Sequence, residues 1–238
     1  MDRQYGIPIV TAETIDEVLE ELGIRPWKQV RPPQDLHEYA ASDLSDAARN
    51  ELERFGPKGQ AMFLKTPQGS PFTGFRSVGR NWATVFALIP NEDNEQDPLV
   101  PIVGEWKHGA EVITLNPPAG VPSKEDRQFG EPMARCGKRE FEEETGIELK
   151  SITALSERGI AVSSRQTTQL FFPFLGVVKE PLETKPTKLD GTEDLKPLLI
   201  SLSEWMKLID AGLVSDASAY GVTFLALRRL GRLPLTVG

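Results

Sequence analysis

The stretch TIDEVLEELG places Ile15, Val18, Leu19 and Leu22 at the three-and-four spacing of one helix face. Thr14 and Glu17 stand in capping-box spacing at its start, and Gly23 suits its end. A Pro-rich connection, RPWKQVRPPQD, leads to a second short helix in SDAARNELERFG, from a Ser45 cap to Gly56. From about Gln60 the period shortens to that of strands. AMFLK and FTGFRSV flank TPQGSP, whose turn chemistry predicts a hairpin. TVFALI, LVPIVGEW and EVITL read as further strands, separated by the polar NEDNEQDP and by KHG. EPMARCGKREFEEETG returns to helical spacing. Glu131 and Pro132 suit its first turn and Gly146 its end. SITALSERGIAV, TQLFFPFLGVV and LKPLLISLS predict strands, with the polar loop KEPLETKPTKLDGTED before the last. SEWMKLIDAG and DASAYGVTFLALRRLG predict two closing helices, ending at Gly212 and Gly231. Strands mixed with helices, without regular alternation or internal repeat, predict an α+β or layered α/β/α fold.

Composition narrows the chemistry. The chain has 238 residues, 39% hydrophobic and 26% charged, enough for one large domain or a domain with an extension. A net charge of -8 disfavours a phosphate backbone, so no nucleic-acid partner is expected. One cysteine, Cys136, excludes an internal disulfide and a cysteine-based zinc site. Two histidines, His37 and His108, supply a histidine metal site poorly, so any metal falls to carboxylates and is a hard ion such as magnesium or manganese. MDRQYGIPIV lacks the pattern of a signal peptide, and no stretch approaches the ~20 apolar residues of a membrane span. The expectation is a cytoplasmic protein with no membrane partner.

At about 100° per residue, Glu140, Glu143 and Glu144 project together from one helix face, while Glu142 points roughly the other way as a bystander surface charge. Ala134, Gly137 and Phe141 make a neighbouring stripe that can face a core. Two readings stand for such a face. It is a solvated acidic surface, or it is a set of oxygen ligands, because a divalent cation turns the mutual repulsion of the carboxylates into attraction.

The wider pattern resembles a known family. Glu131, seven residues, then Arg139, Glu140, Phe141, Glu142, Glu143, Glu144, Thr145, Gly146 and Ile147 resemble the Nudix hydrolase signature G-x5-E-x7-R-E-U-x-E-E-x-G-U, with U apolar. The signature glycine departs: strict counting puts Glu125 there. PPAG ends at Gly120, and a PAG ahead of the box is typical of the ADP-ribose pyrophosphatase branch. With Gly120 in that role, ten residues rather than five precede Glu131, an enlarged loop VPSKEDRQFG. That branch has Gln-aromatic-Arg where this chain has Glu105, Trp106 and Lys107, and glutamate where it has Asn116. The resemblance covers roughly Gln60 onward. It implies a Nudix-type α/β/α sandwich at residues 59–238 behind an N-terminal helical extension at 1–58.

The resemblance implies metal ligation by Glu140, Glu143 and Glu144, with the Ala119 carbonyl as a further ligand and Arg139 orienting the cluster. Mg2+ is the implied cofactor, with Mn2+ as its substitute. Glu193, or Asp194 as alternate, is the implied general base in a loop before the last strand. Glu131 is expected to be structural, complementing the helix dipole. The implied substrate is a small nucleoside diphosphate derivative, ADP-ribose or a nucleotide sugar. A non-hydrolysing nucleotide sensor on the same fold is the alternative. The hairpin at 60–78 implies a homodimer that exchanges it. Trp27, Trp82 and Trp106 are candidates for base stacking, with core packing as the plainer reading. Arg76 and Arg80 are candidates for phosphate pairing, Asn116 for substrate contact. Cys136 reads as a packing residue and His108 as an exposed turn residue.

Overall fold

The computed structural model describes residues 2–26, 36–56, 58–189 and 194–233. Two short strands, β1 (Arg3–Gln4) and β2 (Ile7–Val10), open the chain, turned on Tyr5 and Gly6 at positive φ. Helices α1 (Ile15–Glu21), α2 (Leu36–Ala41) and α3 (Asp46–Phe55) follow. Then come β3 (Lys58–Lys65), β4 (Pro71–Val78), β5 (Trp82–Ala87), β6 (Leu99–Lys107), β7 (Val112–Asn116) and β8 (Ala119–Gly120). A 3-10 turn at Asp126–Gln128 precedes α4 (Pro132–Thr145). The rest is β9 (Leu149–Ala154), β10 (Ile160–Ala161), β11 (Leu170–Val178), β12 (Leu195–Ser201), α5 (Leu202–Asp210) and α6 (Ala217–Arg229).

The chain groups into two compact units that do not divide at residues 58 and 59. The larger takes Met1–Pro26, Asn81–Val162 and Leu170–Gly238; the smaller takes Trp27–Arg80 and Ser163–Gln169. The reason lies in the first strands. β2 pairs in parallel with β12, through Ile9 with Leu199 and Val10 with Ile200, so residues 2–26 are built into a sheet rather than preceding one. Periodicity over two and four residues is too short to read, which is why this N-terminal segment was expected to be helical throughout.

In the larger unit one sheet runs β1-β2-β12-β6-β7. The second runs β10-β11-β5-β8, with β9 also pairing β11. Strand alternation makes two cores. Ala83, Val85 and Ala87 of β5 meet Cys136 and Phe141 of α4, together with Leu99 and Leu199 of the first sheet. Phe86 points the other way, into a core with Val18 and Leu19 of α1, Trp205 and Leu208 of α5, and Val222 and Ala226 of α6. Helices on both sides of the strands give the expected mixed α/β sandwich. The buried Trp205 indole donates to Thr223 Oγ1 at 3.1 Å, which satisfies it and ties α5 to α6.

In the smaller unit β3 and β4 form the expected hairpin, from Lys58 opposite Val78 to Lys65 opposite Pro71. Thr66 and Ser70 close its turn, with Gly69 at φ 86°. Most of its side chains are exposed, Phe63 and Phe75 by 83% and 75%. Ser77 donates through N and Oγ to the Gln166 carbonyl. α3 has the expected Ser45 cap, accepting from the Ala48 N–H. The capping box at α1 does not form: Thr14 Oγ1 instead accepts from the Thr11 N–H at 3.0 Å. α2 lies between the Pro-rich connection and the Ser45 cap, and its six residues are too few to show a period in the sequence.

Candidate active site

α4 is fixed to the sheets before it presents any chemistry. Cys136, Gly137, Phe141, Glu144 and Thr145 are its buried positions. Its last turn closes through the Thr145 hydroxyl donating to the Phe141 carbonyl at 2.6 Å. Gly146 follows at φ 73°, and its carbonyl receives the Lys185 N–H at 2.8 Å. Glu142 is no bystander: its Oε1 accepts the Leu149 N–H at 2.9 Å, with Lys138 3.8 Å away. The helical wheel separates Glu142 from its neighbours correctly, but it does not show that the chain turns back beneath it after Gly146.

Of the remaining three carboxylates, Glu140 and Glu144 meet β8 and Glu143 pairs with Arg139. Glu144, 5% exposed, accepts the Ala119 N–H on Oε2 at 3.1 Å. Glu140 packs on Gly120, whose missing side chain is what makes room for it. The Arg139 guanidinium gathers the cluster. Its Nη1 donates to Glu143 Oε2 at 2.8 Å and its Nη2 to Glu140 Oε1 at 2.7 Å. Burial works against the charge on Arg139, but its bonds to Asp126, Glu143 and Glu140 push its pKa up.

Asp126 was not singled out from the sequence. It is 5% exposed and accepts from Arg139 Nη2 at 2.9 Å and Nε at 3.2 Å. Burial alone would raise its pKa; the bonds from Arg139 and the Ser123 N–H hold it below the usual carboxylate value. Ser123 and Asp126 cap each other, Ser123 N to Asp126 Oδ2 at 2.8 Å and Asp126 N to Ser123 Oγ at 3.1 Å. The SKED spacing at 123–126 is the capping-box pattern that could have pointed to it. Glu131, by contrast, is exposed, sits at φ 60° and makes no side-chain cap bond.

The donor set suits a hard divalent ion in type: three carboxylates within two turns of α4, two of them against the β8 backbone. Their side chains are arranged around Arg139 and the Ala119 N–H. Among the described residues no three His, Cys, Asp or Glu side chains converge on one point as around an ion. Glu193 lies outside the described residues, as does Trp27, while Asp194 is exposed just before β12.

The other candidates separate by strand face. Asn116 and Thr114 lie opposite Leu115, which enters the core shared by α1, α5 and α6. Asn116 is buried, donates to Thr114 Oγ1, and among the described residues has no partner for its Oδ1. Trp106 pairs with Ile113 on the Leu115 side of that sheet. Trp82 shares the Phe86 side of β5, stacked on Phe171 with ring centres 6.2 Å apart. Both tryptophans are therefore turned from α4. Arg80 is exposed in the smaller unit, its carbonyl accepting from Gln169, and Arg76 donates to Gln60. Cys136 donates to the Gly120 carbonyl at 3.2 Å; burial, then the nearby Glu140 charge, pushes its pKa up to about 12, which makes it a packing thiol.

No protein-family model matches the chain. No curated protein matches it. Among solved structures, it is similar to the crystal structure of an ADP compounds hydrolase, with 18% identity and a TM-score of 0.57 over 74% of this chain and 88% of that one. The class defined is thus a mixed α/β sandwich. The fold is shared, in particular, with that hydrolase of ADP compounds.

Proposed function

We propose that the chain is a Nudix-type hydrolase that cuts the diphosphate of a nucleoside diphosphate derivative, of the ADP-ribose or nucleotide-sugar class. The observation that carries this reading is the side of α4 packed on β8, where Glu140 fits against Gly120 and Glu144 holds the Ala119 N–H. The fold shared with an ADP compounds hydrolase supports it. Glu140, Glu143 and Glu144, with the Ala119 carbonyl, are the residues that would hold Mg2+ or Mn2+. Such an ion, when bound, neutralises diphosphate charge and acidifies water. Arg139 orients Glu140 and Glu143. Glu193 is the proposed proton acceptor from the attacking water. Asn116 leads the substrate contacts, because a buried acceptor without a partner suits a ligand donor.

The second reading is a nucleotide sensor that does not hydrolyse. It is favoured by the arrangement of Glu140 and Glu143 around Arg139 rather than around a common point. A panel of dinucleotides and nucleotide sugars with magnesium separates the two. Cleavage by the wild type and its loss in Glu144→Gln supports the hydrolase; nucleotide binding without cleavage in any member supports the sensor. We place the protein in the cytoplasm as a homodimer; among the described residues no helix is long and apolar enough to cross a membrane.

A further inference from the structure

We propose that Asp126, supplied by the enlarged loop, is a positioning residue that acts through Arg139 on the metal-binding carboxylates; this rests on the hydrolase reading above. Five groups carry the inference. Arg139 reaches Asp126, Glu140, Glu143 and the Val121 carbonyl from one planar guanidinium. Two of its donors converge on the single oxygen Asp126 Oδ2, so Asp126 sets the plane from which the other donors reach α4. Asp126 is in turn held by the Ser123 N–H and sits almost wholly out of solvent, so the anchor is rigid.

Charge adds a second effect. One guanidinium faces three carboxylates, Asp126, Glu140 and Glu143. With Asp126 present, the positive charge of Arg139 is already compensated, and the α4 carboxylates keep their attraction for a cation. Without it, Arg139 is left to pair with Glu140 and Glu143 alone and competes with the ion for them. Asp126 therefore does what the exposed Glu131 does not, and the longer loop is the route by which a carboxylate reaches the back of Arg139.

The test titrates Mn2+ into the full chain, following free ion by electron paramagnetic resonance, for wild type, Asp126→Asn, Asp126→Ala, Arg139→Ala, the double variant and Glu140→Gln. The expected result is a loss of Mn2+ affinity of about 10–100-fold in Asp126→Ala, with Asp126→Asn between it and wild type. The double variant binds no more weakly than Arg139→Ala alone, because Asp126 acts through that guanidinium. Should Asp126→Ala fail to fold, Asp126→Asn, which keeps the volume and an acceptor oxygen, carries the comparison. Affinity within about twofold of wild type in folded Asp126 variants, alongside weakened binding in Glu140→Gln, overturns the role of Asp126 and leaves the hydrolase reading intact. Absence of Mn2+ binding in the wild type overturns the metal reading and this inference with it.

Discussion

Gly120 and Glu140 touch so closely that a β-carbon at residue 120 would run into the Glu140 carboxyl group. Gly120→Ala therefore has to displace either β8 or the carboxylate. The expected cost is about 1–3 kcal/mol of stability from overpacking. If the hydrolase reading holds, misplacement of Glu140 lowers kcat by about 100-fold. Thermal unfolding and steady-state kinetics on one preparation separate the two effects; unchanged kcat in a folded variant would remove Glu140 from the site.

Glu142 gives the opposite pattern. Its carboxylate receives the Leu149 N–H behind the helix end. Glu142→Ala should cost about 1 kcal/mol of stability, as for a lost hydrogen bond to a partly buried amide. Metal affinity and turnover should stay near wild type. Denaturant unfolding paired with metal titration checks this, and a large fall in affinity would place Glu142 among the ligands.

Phe141 faces the sheets from the same turn of α4 and is fully buried among Val85, Leu149 and their neighbours. Phe141→Ala should destabilise by about 3–5 kcal/mol. Chemical denaturation reads this directly, and a cost under about 1 kcal/mol would mean the helix is not packed as described.

Asp97 provides the pH dependence. It accepts the Ser203 N–H at 2.9 Å and the Ser203 hydroxyl at 2.6 Å, at the start of α5. Burial alone would raise its pKa, and the bonds from Ser203 lower it below the usual value. A depressed folded pKa means the stabilisation is fully present above the unfolded value, about 3.9, and is lost as pH falls through the folded one. Asp97→Asn should cost about 1 kcal/mol near neutral pH, as for a helix cap. The difference from wild type should shrink below about pH 4. Urea melts across that range test it; a difference that grows on acidification contradicts the assignment.

The hairpin exposes Phe63, Leu64, Phe72 and Phe75. If it forms the proposed homodimer contact, Phe63→Ser with Phe75→Ser yields monomers in light scattering, whereas the wild type is a dimer. A monomeric wild type at micromolar concentration refutes the contact.

The long elements were legible because their patterns span several periods. α4 runs from Pro132 to Thr145 as the EPMARCGKREFEEETG stretch predicted, and the β3–β4 hairpin turns where TPQGSP placed it. β1 and β2 were not legible, since their pairing with distant β12 leaves no local mark. In the site, helical geometry singled out Glu140, Glu143 and Glu144, and the structure pairs the first two with Arg139 and the third with the Ala119 N–H. It missed Asp126 because the partner of Arg139 comes from a loop thirteen residues earlier, brought in by a turn rather than by a repeat. It left Trp82 and Trp106 open between base stacking and core packing, because residue type carries no information about strand face, and the structure puts both on the face turned from α4.

The parallel pairing of β2 with β12 also orders events in time. Ile9 meets Leu199, 190 residues further along. During synthesis the first strand has no neighbour on that edge until nearly the whole chain has emerged, so closure of this sheet is a late, long-range step with a high entropic barrier. The second sheet can form sooner, because β5 finds β8 within forty residues. An interrupted chain would therefore hold α4 on a half-built sandwich, with the buried face of β6 open to water and to other chains.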